Sequence, residues 1–149
     1  MSERTSSAEQ ATTHNKPTGI VATVVPANER MAFLPKHFGN DMLHAESAVY
    51  ESMTRLCRTY QGGYWEFVEL SNGGCYLRLT TPGPLGIRVD GNGFGGEMSV
   101  DAASIVATLF ALNALSWERS AAAFADQYYL LFDYAMQHEE KRKILGAID

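Results

Sequence analysis

The chain has 149 residues, 46% of them hydrophobic and 19% charged, with a formal net charge of −5. That length and composition suit a single globular domain able to bury a core without a disulfide or metal staple. The charge has the wrong sign for binding nucleic acid by phosphate neutralisation, and it is far too small to imitate DNA, which carries about one negative charge per 1.7 Å of axis.

Residues 1–18 are rich in Ser, Thr, Ala and Gln and poor in large apolar side chains. Such a segment buries too little to offset its ordering entropy, which predicts a mobile tail ahead of one domain over 19–149. Ile20 to Val25 is a β-branched run closed by Pro26, read as an extended segment. Asn28 to Leu34 reads as a short helical turn capped by Asn28 and stopped by Pro35. Asp41 to Tyr60 is the first long helix. Met42, Val49, Met53, Leu56 and Tyr60 form its apolar stripe, and Glu51–Arg55 is a favourable i,i+4 pair on its outer side.

Gln61-Gly62-Gly63 ends that helix. Tyr64 to Leu70 and Cys75 to Thr80 read as two strands joined at Asn72-Gly73, a pair that supplies the positive φ of a tight turn. Leu85 to Asp90 alternates apolar and polar residues as a third strand, and Phe94 to Met98 is a short fourth after Gly91-Asn92-Gly93. Ser99 caps the second long helix, with Asp101 in its first turn. This helix is apolar almost all round and is therefore central. Ser116 reads as the cap of a third helix to about His138, with Trp117 on its buried stripe, and Glu139 to Lys143 reads as a solvated helix end. Tight turns force antiparallel pairing. The expected fold is α+β: a small antiparallel meander of three to four strands, with about three main helices against one face.

Chemistry-bearing motifs are sparse. Gly91 to Gly96 matches G-x-G-x-x-G, which keeps a small-molecule or nucleotide-binding module open as the alternative function. Glu97 and Met98 nevertheless separate the glycines from the helix cap, where a dinucleotide loop opens its helix directly. Asp90, Asn92, Gly95 and Asp101 echo a calcium loop, but Phe94 occupies a ligand position and Asp101 stands where a bidentate Glu is needed. The four histidines show no H-x-x-x-H spacing and the two cysteines no C-x-x-C. His37 is expected to support the turn into the first helix. No nucleophile has a base at motif spacing, and Glu66 and Glu69, three apart on a strand, face opposite sides. The expectation is a non-enzyme without cofactor or metal. Between Gly63 and Ser116 the only basic residues are Arg78 and Arg88, so the aromatics Tyr64, Trp65, Phe67 and Tyr76 are read as core and not as a base-stacking sheet. The first ten residues lack a secretory apolar stretch, no apolar run reaches the roughly 18 residues of a membrane span, and Cys57 and Cys75 make no disulfide framework. The expected location is therefore the cytoplasm, with no membrane contact.

Several long strings point further. Phe33-Leu34-Pro35-Lys36-His37-Phe38-Gly39-Asn40, Gly62-Gly63-Tyr64-Trp65-Glu66-Phe67 and Glu69-Leu70-Ser71-Asn72-Gly73-Gly74 are followed by Val89-Asp90-Gly91-Asn92-Gly93-Phe94, Gly96-Glu97, Asp101-Ala102-Ala103 and Ala107 to Leu112. In this order they resemble the antirestriction proteins of the ArdB/KlcA type over about residues 25–115, with a weaker echo in Ala147-Ile148-Asp149. The resemblance implies a bacterial protein borne on plasmids or mobile elements that protects incoming DNA from type I restriction enzymes. It also implies an α+β fold with no catalytic residues or cofactor. The partner would be the type I endonuclease complex or a host factor controlling it, with no strong nucleic-acid binding, and the protein a monomer or weak homodimer. Loops carry function more often than strand interiors. The expected docking edge is therefore the acidic, glycine-lined loop bearing Asp90, Asn92, Glu97 and Asp101, joined by Glu66 or Glu69 from the strand pair.

Overall fold

The computed structural model describes residues 19–119 and 122–149. The expected mobile tail lies outside the described residues. The α+β architecture is as expected, with the strands divided between two antiparallel sheets. Strands β1 (Ala22–Val24), β2 (Tyr64–Leu70) and β3 (Cys75–Thr80) form one sheet in that order, and β4 (Leu85–Val89) and β5 (Phe94–Met98) form a separate hairpin. The extended segment after residue 19 is thus an edge strand, paired Ala22 to Leu70 and Val24 to Val68.

Helices cover both faces of the three-stranded sheet, not one, because β2 is apolar on both sides. Phe67 stacks on Phe33 of α1 (Arg30–Phe38) at 4.6 Å between centroids, and Trp65 meets Tyr50 of α2 (Met42–Leu56) at 5.3 Å. On the opposite face Tyr76 stacks on Tyr134 of α4 (Ala122–Ala135) at 6.0 Å. Period-two alternation places Phe67 and Tyr76 on opposite sides of the paired strands.

The third helix of the chain, α3 (Val100–Glu118), is the core element, with Ala102 through Leu109 buried without a break. It is 19 residues long with a mean hydropathy of 1.4, long and apolar enough by composition to cross a membrane, yet 61% of that window is buried inside the fold. Its apolarity on every side comes from having protein on every side. Two polar residues lie within the Ala102–Leu109 stretch, both fully buried. Ser104 Oγ accepts the Leu79 N–H at 3.0 Å, and Thr108 Oγ1 accepts the Leu77 N–H at 3.4 Å. These N–H groups lie on the open edge of β3. The helix closes an edge that would otherwise present unpaired donors.

Four local expectations are corrected. Pro35 does not stop the early helix; it sits inside α1. The turn it weakens is an outer one, since Met31, whose carbonyl it cannot bond, is 93% exposed. Helix α2 ends at Leu56, not Tyr60, because Tyr60 is drawn to Trp65, whose indole N–H donates to its hydroxyl at 3.2 Å. Ser116 is no cap: α3 runs through it to Glu118, its hydroxyl donates to the Asn113 carbonyl, and Trp117 is 79% exposed. The charge run is not a free helix end either, since it opens α5 (Lys141–Ile148) and bonds back to β5 and α3.

Candidate functional site

The six expected interface residues fall into three settings. Asp101, in the first turn of α3, is the hub of a half-buried network. Its Oδ1 accepts the Tyr76 hydroxyl at 2.6 Å and Arg78 Nη1 at 3.3 Å, and its Oδ2 meets His138 Nε2 at 2.8 Å. Arg78 also grips Glu66 through Nε and Nη2 at 3.1 and 2.8 Å, across the β2–β3 pair. His138 Nδ1 accepts the Glu140 N–H at 3.0 Å. That bond assigns the neutral ring its proton on Nε2, aimed at Asp101. Burial works to raise the Asp101 pKa, but the hydrogen bonds from His138, Tyr76 and Arg78 outweigh it and hold the carboxyl below its ordinary range. The same His138–Asp101 bond raises the imidazole above its usual value. Both ring nitrogens are occupied and the side chain is 9% exposed. The trio resembles a catalytic dyad with a tyrosine, but its groups are spent on one another and tie β3, α3 and the segment after α4 together.

Glu69 is likewise committed. Its Oε2 accepts Lys36 Nζ at 2.8 Å and lies 2.9 Å from His37 Nε2. These two contacts, Lys36 first, lower the Glu69 pKa, while burial lowers that of His37. His37 therefore fastens α1 to the sheet; it does not support the turn into the next helix. Glu66 and Glu69 stand on opposite faces, as strand periodicity requires.

The hairpin turns repeat one device. In the first, Gly73 has φ +95°, Asn72 Oδ1 accepts the Gly74 N–H at 2.9 Å, and Asn72 Nδ2 donates to the Leu130 carbonyl of α4 at 2.9 Å. In the second, Gly93 has φ +76°, Asn92 Oδ1 accepts the Phe94 N–H at 2.9 Å, and Asn92 Nδ2 donates to the Gly146 and Ala147 carbonyls at 3.2 and 3.0 Å. Those carbonyls end α5, where a helix has no partners of its own. Asn92→Ala is expected to lower stability by about 1–2 kcal/mol, read as a drop in the denaturation midpoint; an unchanged midpoint would remove this tie. The glycine run forms this turn and the start of β5 and opens no helix. Asp90 and Glu97 remain exposed, and among the described residues neither forms an ion pair. Lys143 Nζ reaches the Glu97 carbonyl at 2.8 Å, leaving that carboxylate free.

Residues 58–149 match the antirestriction protein family. The chain belongs to that family. The match runs to the final residue, beyond the limit expected near residue 115, and α5 is bound to the β4–β5 turn through Asn92. Antirestriction protein KlcA of Escherichia coli is 49% identical over 140 residues, covering 89% of this chain and 96% of that protein. A second E. coli KlcA is 45% identical over 135 residues, covering 87% and 95%. A solved structure superposes with a TM-score of 0.83 at 44% identity over 90% of this chain and 98% of that one. The work on it describes a novel fold for the KlcA and ArdB proteins and antirestriction activity against type I DNA restriction systems in vivo but not in vitro.

Sequence reasoning missed His138, Tyr76, Glu140 and Lys143 as structural partners of the antirestriction fold. No spacing pattern links Asp101 to His138. A signal did exist for Glu140: it accepts the Ser99 N–H at 2.9 Å, and Ser99 Oγ accepts the Ala102 N–H at 3.0 Å. A charge run facing a helix cap is the expected source of such a bond.

Proposed function

We propose that this protein protects incoming DNA from type I restriction enzymes in the bacterial cytoplasm by contacting another protein, without catalysis and without imitating DNA. The partner is the endonuclease complex or a host factor that controls it. One observation carries this reading: likeness over nearly the whole chain to a structure whose family acts in vivo but not in vitro. Activity that needs the cell fits action through a cellular partner or state better than direct occlusion of the enzyme by a decoy.

The side-chain geometry supports the same reading. A DNA decoy needs free carboxylates in a row at phosphate-like density. Here Glu66, Glu69 and Asp101 are neutralised by Arg78, Lys36 and the His138 cluster within the fold. The outward carboxylates of the candidate edge reduce to Asp90 and Glu97, set beside the exposed glycines Gly91, Gly93 and Gly95 where a partner backbone approaches closely. Such an edge suits a basic patch on a protein.

The test pairs antirestriction in cells with melting temperature for Glu97→Ala and Glu97→Lys. Both variants should melt with wild-type protein, because the exposed side chain makes no ion pair among the described residues, and Glu97→Lys should lose activity. Full activity in Glu97→Lys moves the interface elsewhere. The purified protein should show no sub-micromolar binding to duplex DNA at physiological salt.

A further inference from the structure

A cavity of about 200 Å³ lies where the C-terminal end of α2, the end of β4 and the middle of α3 meet. Its wall carries Arg55 from α2, and Arg88 and Asp90 from β4 and its turn, while Leu56, Val89 and Phe110 supply an apolar lining. Neither guanidinium forms an ion pair among the described residues. The Glu51–Arg55 pair expected from helix spacing is not formed; Arg55 Nη2 turns to Ser52 Oγ at 3.4 Å. Ser52 also lines the cavity. It is 1% exposed, and among the described residues its hydroxyl hydrogen has no acceptor. A buried donor left unmatched at a cavity wall is costly unless something arrives to take the bond.

We propose that this cavity binds a monocarboxylate whose apolar part lies on Leu56, Val89 and Phe110. Two guanidiniums and the Asp90 carboxylate leave the wall one positive charge. One carboxylate neutralises it, whereas a phosphate monoester, at about −1.5 to −2, overshoots it. Guanidinium forks match carboxylate geometry with two parallel bonds, and the Ser52 hydroxyl supplies a further donor. The ligand class is thus a short-chain fatty or aromatic acid, or the C-terminal carboxylate of a polypeptide. The cavity shares Asp90 and Gly91 with the candidate edge but not Glu97, so ligand binding is read independently of the antirestriction activity that the Glu97 variants test.

The test titrates isotope-labelled protein with sodium hexanoate, hexanamide, hexyl phosphate, and a short apolar peptide with a free or amidated C-terminus, following backbone amide signals. Hexanoate should give saturable shifts at Ser52, Arg55 and Arg88 to Gly91, and hexanamide none. Arg88→Gln and Arg55→Gln should each weaken hexanoate binding about tenfold or more. Both side chains are exposed, so the variants should keep the wild-type melting temperature. Tighter binding of the free-ended peptide than of hexanoate, lost on amidation, supports the proposal with a polypeptide terminus as the source; the reverse order supports it with a small acid. The proposal is overturned if hexanoate gives no saturable shift, if hexanamide binds as well, if hexyl phosphate binds more tightly, or if the arginine variants bind like wild type.

Discussion

Leu109→Ala lowers the unfolding free energy by about 2–5 kcal/mol, the range for emptying a buried leucine site. Leu109 is fully buried at the centre of α3, and that helix packs against α2, α4 and β3 at once. Collapse around the missing side chain is limited because each neighbour is held by its own contacts. The β3 edge cannot follow a shift of α3 without stretching the bonds from Leu77 and Leu79 to Thr108 and Ser104. This places the expected cost in the upper half of the range. Urea denaturation should show a lowered midpoint at an unchanged slope. A midpoint equal to that of wild type would take Leu109 out of the core and with it the central placement of α3.

Asp101→Ala is expected to cost about 3 kcal/mol at neutral pH, since it strands the Tyr76 hydroxyl, one Arg78 contact and His138 together in a half-buried site. Tyr76→Phe costs less, about 1 kcal/mol, because Asp101 keeps two partners. The pH dependence separates this network from mere packing. His138 has its pKa raised in the fold, so its contribution is fully present below the unfolded value near 6.5 and is lost as pH rises through the folded value. His37, lowered by burial, contributes in the opposite sense: its stability is present above about 6.5 and is lost as pH falls through its folded value. In wild type the two oppose each other in mildly acidic solution. Asp101→Asn removes the carboxylate that favours charged His138 and leaves His37 unopposed, so the variant should lose stability more steeply than wild type between pH 7 and 5.5. Parallel curves would show that His138 is not coupled to Asp101.

Much of the fold is legible because its signals are local. The Asn72-Gly73 turn, the alternation in β4, the Ser99 cap and the unbroken apolarity of α3 each fix one element through backbone conformation or burial. The misreadings share one origin, tertiary contacts overriding local grammar. Pro35 reads as a stop only when the exposed turn around Met31 is unknown. Ser116 reads as a cap only when its bond to the Asn113 carbonyl is unknown. One covered face is expected when the aromatic and β-branched residues of β2 are taken only as a strand signal; buried Trp65 and Phe67 on one side and Val68 and Leu70 on the other require cover on both. Ser104 and Thr108, four apart in an apolar helix, were a readable sign of backbone donors to be satisfied.

The proposed edge stands out in the sequence for its acids and glycines, but the same spacing serves an acid facing solvent and one facing Arg78 or His138. The structure sorts them: Asp90 and Glu97 face outward, while Asp101, Glu66 and Glu69 hold the fold together. Asn92, expected at the contact edge, spends its side chain on its own turn and on α5.

The efficiency of plating of unmodified phage on a type I restricting host, with and without soluble expression of this protein, tests the central claim most directly. A non-restricting strain controls for growth. The account predicts higher plating on the restricting host, no change on the non-restricting one, and no cleavage or methylation of DNA by the purified protein. Equal plating on the restricting host with and without the protein, at confirmed soluble expression, would contradict it.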